Sequence, residues 1–200
     1  MTPRLLLASQ SASRARMLRD AHVPFEVVRA PVDEESAKAS LEAEGLGPRN
    51  LADALAELKA ISASMGNPLD LVLGCDQTVE LADGSRVDKV ETREEAAELL
   101  SRMSGMPHKL HCAIVIAQGS GPIWRHLETV TLHVRPLSAA FIDHYLDLDW
   151  EECRWCVGCY RVEGPGAQLF SRITGSQFAV QGLPLLPLLD YLRTRSILEA

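Results

Sequence analysis

Two long apolar runs on either side of a glycine turn constrain this chain more than any other feature. Leu110–Ala117 and Leu127–Arg135 read as strands around Gly119-Ser120-Gly121-Pro122, residue types that reverse a chain. In the second run Val130, Leu132 and Val134 alternate with Thr129, Thr131, His133 and Arg135, so one face is buried and the other polar. A hairpin of this length puts antiparallel strands into the sheet. Elsewhere strands alternate with helices. The pattern therefore predicts an α/β fold with a mixed twisted sheet and flanking helices, not a purely parallel doubly wound one.

The other elements follow from local signals. Arg4–Ala8 is a short buried strand, and Ser9–Ser13 leads from it into a helix. Phe25–Arg29 predicts the next strand. Pro31–Glu35 reads as an acidic loop, and Ser36–Glu44 as a helix stopped by Gly45-Leu46-Gly47-Pro48. Arg49–Met65 is the clearest helix: Leu51, Leu55, Leu58, Ile61 and Met65 share one face, with Lys59 at its edge. Leu71–Asp76 predicts a buried strand ending in a carboxylate. Thr78–Leu81 and Ser85–Val87 flank the hairpin signal Ala82-Asp83-Gly84. Thr92–Met103 is a helix with Thr92 as N-cap and Glu95 at the capping-box position. Ser138 caps a helix reaching to about Asp147, and Gly182-Leu183-Pro184 opens a last helix carrying Leu185 to Leu192.

The chain's 200 residues suit one domain, 1–200, with two lobes around a cleft and no separate linker. A net charge of −7 argues against non-specific nucleic-acid binding, so no nucleic-acid partner is expected. It leaves room for a phosphate ligand held by a few local cations. The opening MTPRLLLASQ is too short in apolar residues for a signal core or a membrane span. We expect a cytoplasmic protein with no membrane partner, and its five cysteines as thiols.

Several segments could carry chemistry, each with a plain structural alternative. The loop Ser9–Arg14 offers hydroxyls, backbone N–H groups and a guanidinium to a phosphate, or is simply an N-cap with surface arginines. Asp33-Glu34-Glu35 can hold Mg²⁺ or Mn²⁺ through oxygen ligands, or is solvated loop charge. Asp76 can bind metal or take a proton from water, or caps a turn. Lys59 and Lys89 suit phosphate as point charges, or are surface solvation. Cys153, Cys156 and Cys159 have part of an iron–sulfur spacing without its fourth cysteine, and their neighbours fit a packed segment better. His108 and His111 fall on opposite faces of a strand, which disfavours a zinc pair.

The order of these segments along the chain resembles the Maf-like family. Leu5–Arg14 (LLLASQSASR) is similar to its LASxSPRR opening, Asp33-Glu34 to its DE element, and Leu55–Ala60 to its LAxxKA helix. Gly74–Val79 resembles its G(A/S)D(T/Q)(V/I) strand, and Lys89 with Glu94-Glu95-Ala96 its KPxxxxEA stretch. Ser104-Gly105 with His108, Glu163-Gly164, and Gly182–Leu185 resemble its SGxxH, QG/EG and VGLPL elements. The resemblance covers essentially the whole chain. It implies a two-lobed, inosine-triphosphate-pyrophosphatase-like fold with the active cleft between the lobes, a divalent cation (Mg or Mn), and a homodimer as a common state. It implies hydrolysis of a nucleoside triphosphate to the monophosphate and pyrophosphate. By the same resemblance Asp76 is base or metal-linked carboxylate, Glu34 helps hold the metal, and Lys59, Lys89 and Arg14 grip the triphosphate. Ser9, Ser11 and Ser13 line its loop, and Gln77, Arg161 and Glu163 belong to the substrate site.

Within the family, Gln77, Cys156 and Tyr160–Gly164 (YRVEG) resemble the branch that cleaves 7-methyl-GTP. A carboxylate at Glu163 can accept from the N1 and N2 donors of guanine and favours a cationic base. Ala12, Ser13 and Val90 depart from the family pattern. The alternatives are a UTP/dTTP pyrophosphatase and a non-catalytic nucleotide-binding division regulator. An iron–sulfur or zinc protein built on Cys153, Cys156 and Cys159 is a third.

Overall fold

The computed structural model describes residues 3–199; Met1 and Thr2 of the opening segment lie outside them. In chain order the elements are β1 (Leu5–Ala8), α1 (Ala12–Asp20), β2 (Glu26–Val27), α2 (Glu34–Ala43), α3 (Pro48–Ser64), β3 (Leu71–Glu80) and β4 (Arg86–Val87). Then come α4 (Arg93–Met103), β5 (Pro107–Gln118), β6 (Gly121–Val134) and α5 (Ala139–Cys153). A 3-10 turn (Pro165–Leu169), β7 (Phe170–Thr174), α6 (Gln177–Val180) and α7 (Leu185–Thr194) complete the described residues. The strands pair in the order β2-β1-β3-β5-β6-β7, with β4 joined to β3. Pairing is parallel between β1 and both β2 and β3, and antiparallel between β3 and β4 and between β6 and β7. The expected mixed α/β sheet is present. Among the described residues no helix is long and apolar enough to cross a membrane.

The chain separates into two compact units. The first comprises Met1–Asp76, Cys112–Glu128 and Gly182–Ala200. Its central strands β1, β3 and β5 are apolar on both faces, as strands covered by helices on both sides must be. On one face Leu5, Leu7, Leu71, Leu73, Ile114 and Ile116 pack against Leu18 of α1 and Leu185, Leu188 and Leu192 of α7. On the other, Ala113, Val115 and Ala117 meet Ala52, Ala56 and Ala60 of α3, while Leu6, Ala8 and Val72 meet Ala63.

The buried face of α3 differs from the leucine face expected from spacing. Leu58 is 37% and Met65 63% exposed, whereas Ala52, Ala56 and Ala60 are fully buried. The reason is Gly74 on β3. A Cβ there would lie 2.1 Å from the Ala56 carbonyl oxygen and 2.6 Å from the Ala60 nitrogen. Helix and strand backbones touch, and only alanine fits between them. The strand expected over Phe25–Arg29 shrinks to Glu26–Val27, an edge strand that pairs with β1 at Leu6 and Leu7.

The second unit comprises Gln77–His111 and Thr129–Gln181. β3 continues into it without a break, so the two strands expected over Leu71–Asp76 and Thr78–Leu81 are one. Asp76 is therefore interior to a strand and neither ends it nor caps a turn. No glycine or proline lies between Cys75 and Leu81 to end the ladder. The hairpin at Asp83-Gly84 forms, pairing Val79 with Val87. α4 carries the complete capping box of Thr92 and Glu95. Val130, Leu132 and Val134 are buried as the alternation predicts. α5 runs on to Cys153, past Asp147. The 3-10 turn, β7 and α6 were not expected from the sequence. They are short, and β7 is held by its pairing with Thr131–Val134 of β6.

The hairpin between β5 and β6 turns on Gly119 and Ser120 alone, at φ of 58° and 71°. Two consecutive left-handed residues match the tight turn that fits the twist of antiparallel strands, which lengthens both strands beyond the predicted ends.

Candidate active site

The first unit gathers three of the four central candidates around one ammonium. Lys59 Nζ donates to Asp76 Oδ1 at 2.6 Å and lies 2.8 Å from Glu34 Oε2. Lys59 comes from α3, and the Gly74 contact sets the height at which its stem leaves the helix. Asp76 lies two residues beyond Gly74 on the same strand face, since side chains alternate along β3. The Lys59 and Asp76 side chains are 9% and 13% exposed, but Glu34 is 62% exposed. The cluster is thus buried at its base and open at its acidic end.

Glu34 reaches Lys59 because α2 starts earlier than its composition suggested. Asp33 is the N-cap, accepting from Ser36 N at 3.2 Å and from Ser36 Oγ at 2.8 Å. These bonds from Ser36 hold the Asp33 carboxyl below its ordinary pKa. The predicted acidic loop is therefore a cap and a first turn, where Glu34 and Glu35 also complement the helix dipole. Asp33 is committed to the backbone, which leaves Glu34 as the acidic residue of this segment that meets Lys59.

The Ser9–Arg14 loop is built as both its readings allowed. Ser11 caps α1 by accepting from Arg14 N, and Ser9 Oγ accepts from Ser11 N at 3.3 Å. The Arg14 guanidinium turns inward. It donates to Ser9 Oγ at 3.0 Å, to the Cys75 carbonyl at 3.2 Å and to the Gly182 carbonyl at 2.8 Å. Arg14 thereby ties the loop to β3 one residue before Asp76. Gly182 sits at φ 100°, and a Cβ there would lie 3.1 Å from Arg14 Nε, so a side chain there is strained. Ser13 stands in the first turn of α1, half-buried. Cys75 points to the opposite side of the strand from Asp76, where burial pushes its thiol up to about 11.

The remaining candidates lie in the second unit. Lys89 is exposed in the segment after β4. Gln77 Nε2 donates to the carbonyls of Ala179 at 2.9 Å and Val180 at 3.0 Å, closing the end of α6. Arg161 makes two hydrogen bonds to Asp149, the longer one 3.3 Å from Nε to Oδ2, and lies 3.7 Å from Glu152. Glu163 is exposed two residues further on. Cys153 and Cys159 are buried and Cys156 half-buried, all as free thiols. Among the described residues no group of three or more His, Cys, Asp or Glu side chains is arranged to hold a metal. His108 Nε2 pairs with Tyr160 Oη at 2.8 Å, and His111 bridges Thr129 Oγ1 and Glu80 Oε2 at 2.9 Å each. Burial lowers the His108 pKa to about 4.

Two contributors were not singled out from the sequence. Gly74 decides how closely α3 approaches, and a glycine inside an apolar strand is the signal for such an approach. Asp149 is a buried carboxylate on α5, and an aspartate in the acidic run from Asp147 to Glu152 reads as surface charge.

Donor types and charge suit a divalent cation and a polyphosphate at the first-unit cluster. Glu34 and Asp76 are hard oxygen donors of the kind Mg²⁺ or Mn²⁺ takes, and both face the Lys59 ammonium.

Comparisons with known proteins show the family. The profile of the Maf-like protein family matches residues 4–195. A nucleoside triphosphate pyrophosphatase of Sphingopyxis alaskensis is 50% identical over 96% of this chain and 98% of its own. One of Caulobacter vibrioides is 47% identical over 99% of this chain and 98% of its own. A 7-methyl-GTP pyrophosphatase of Brucella suis is 41% identical over the full length of both. With a family match spanning residues 4–195 and relatives 47–50% identical over nearly the whole chain, this chain belongs to the Maf-like family.

Proposed function

We propose that this chain is a nucleoside triphosphate pyrophosphatase, cleaving a triphosphate to the monophosphate and pyrophosphate, with 7-methyl-GTP as the finer substrate assignment. The observation that carries the reading is Lys59 held between Asp76 and Glu34. A water oxygen attacks the α-phosphorus, the bond from that phosphorus to the bridging oxygen breaks, and pyrophosphate leaves. The Asp76 carboxylate takes the water's proton, with Lys59 fixing its orientation through Oδ1. Lys59 and Arg14 supply positive charge toward the phosphates, and Lys89 adds to it. Ser9, Ser11 and Ser13 offer hydroxyls on the α1 loop. Glu34 and Asp76 would hold the divalent cation, which when bound neutralises charge on the phosphates.

Support for the coarser reading comes from the relatives named as nucleoside triphosphate pyrophosphatases at 47–50% identity. Support for the finer one comes from the Brucella suis relative and from Glu163, whose exposed carboxylate matches the donor edge of guanine and a cationic base. Uracil and thymine present carbonyls there and match it poorly. A cytoplasmic homodimer remains part of the proposal.

The test is pyrophosphate release from 7-methyl-GTP, GTP, UTP and dTTP with Mg²⁺ or Mn²⁺, on wild type and Asp76→Asn. The variant is expected to lose about a thousandfold in turnover with an unchanged circular dichroism spectrum. Retained turnover would remove Asp76 from the chemistry, and a preference for UTP or dTTP would overturn the finer assignment.

A further inference from the structure

We infer that Asp149 and Arg161 are positioning residues that hold the turn bearing Glu163, so that base preference depends on an ion pair that itself reads no base. The inference rests on the reading of Glu163 given above and extends it to two residues beneath.

The Arg161 guanidinium lies along the Asp149 carboxylate, Nε toward Oδ2 and Nη2 toward Oδ1. Such a forked pair fixes orientation as well as charge. The Asp149 side chain is 2% and that of Arg161 23% exposed. Asp149 belongs to the last turns of α5, with Tyr145 Oη 3.4 Å from its Oδ2, so its position is set by the helix.

The chain then folds over this pair. Gly164 N donates to the Arg161 carbonyl at 3.2 Å, and Ala167 N to the Gly164 carbonyl at 3.1 Å. A Cβ on Gly164 would lie 3.3 Å from Arg161 Nη2 and 3.8 Å from Asp149 Oδ1. One on Gly166 would lie 2.6 Å from the Arg161 carbonyl oxygen and 2.7 Å from its nitrogen. The backbone from 164 to 166 thus rests directly on Arg161, with Glu163 on the exposed side of the turn. Tyr145 Oη, which donates to the Cys159 carbonyl at 3.0 Å, pins the approach to Arg161 from the other direction. A buried ion pair adds little net stability relative to an apolar filling of the same space. What this pair supplies is a defined geometry for the turn above it.

Arg161 therefore acts through Glu163, although its place in the YRVEG motif suggested direct substrate contact. Asp149 acts through Arg161.

The test compares KM and kcat for 7-methyl-GTP and UTP in wild type, Glu163→Gln, Asp149→Asn and the double variant. Asp149→Asn keeps the side-chain shape and removes the charge. It is expected to raise KM for 7-methyl-GTP about tenfold or more while kcat stays within about twofold, because a displaced recognition group loses binding before chemistry. The double variant should be no worse than Glu163→Gln, since both changes remove one function. Asp149→Glu should restore part of the preference. If Asp149→Asn does not fold, Arg161→Lys serves, because it keeps the charge and loses the fork. A folded Asp149→Asn or Arg161→Lys with unchanged base preference, beside a Glu163→Gln that loses it, would overturn this inference alone. Unchanged preference in Glu163→Gln would overturn the reading of Glu163 and this inference with it.

Discussion

The two faces of the sheet in the first unit are packed by different means. Toward α1 and α7 the strands present Leu5, Leu7, Leu71 and Leu73 to other leucines, ordinary close packing of large side chains. Toward α3 the contact is made by Ala52, Ala56 and Ala60 over Gly74. Small residues bring that helix to backbone contact, and the polar groups lie on that side: Asp76 points there, Lys59 descends there, and Glu34 meets it from α2. The difference teaches that the leucine face supplies burial while the alanine face supplies distance. The contact between Lys59 and Asp76 needs the second, because a lysine on a helix one side chain further out would not reach a carboxylate on the strand.

The comparison breaks most directly at Gly74. Gly74→Ala inserts a methyl group 2.1 Å from the Ala56 carbonyl oxygen. The helix must lift, so we expect a stability loss of about 3 kcal/mol or more, read in a denaturant titration. Pyrophosphate release by the folded fraction should fall about a hundredfold as Lys59 and Asp76 separate. A variant with normal activity would show that the close approach is not what places Lys59. The leucine face sharpens the contrast. Leu188→Ala, on a fully buried α7 residue, should cost about 3 kcal/mol yet leave activity per folded molecule nearly unchanged. Loss of activity at full occupancy of the fold would mean that both faces set the site.

The smallest effect is expected from a pair that belongs to neither face. Asp70 accepts from the Arg4 side chain at 2.7 Å and from Arg4 N at 3.1 Å, and hydrogen bonding from Arg4 is the main reason its pKa is lowered. A carboxyl depressed on folding contributes stability above its ordinary pKa, near 4, and loses it as pH falls through the folded value. Asp70→Asn should therefore flatten the acid side of the stability profile below about pH 4, leaving the neutral rate of pyrophosphate release alone. An unchanged acid profile would remove this pair from the fold's pH dependence.

Much of this was legible in the residues. Helix caps at Thr92 and Ser138, the Asp83-Gly84 hairpin and the alternating strand through Val130 are local signals, and each formed where expected. Less legible was anything set by a partner elsewhere in the chain. The leucine spacing in α3 suggested a face that the structure leaves partly exposed at Leu58 and Met65, because the opposing strand carries Gly74. Asp76 looked like a strand end because a carboxylate rarely sits inside an apolar ladder; with Lys59 above it, the strand continues.

Sequence alone determined the types of the longer elements, the mixed sheet and the candidates Glu34, Lys59 and Asp76, because capping, turn chemistry and side-chain period are properties of a few neighbouring residues. Tertiary structure alone decided that these three side chains converge, that Arg14 is turned onto the Ser9, Cys75 and Gly182 acceptors, and that Arg161 faces Asp149. Those pairings join residues far apart in the chain. They depend on interlayer distances set by packing, and a short stretch of sequence does not encode a distance to something outside itself.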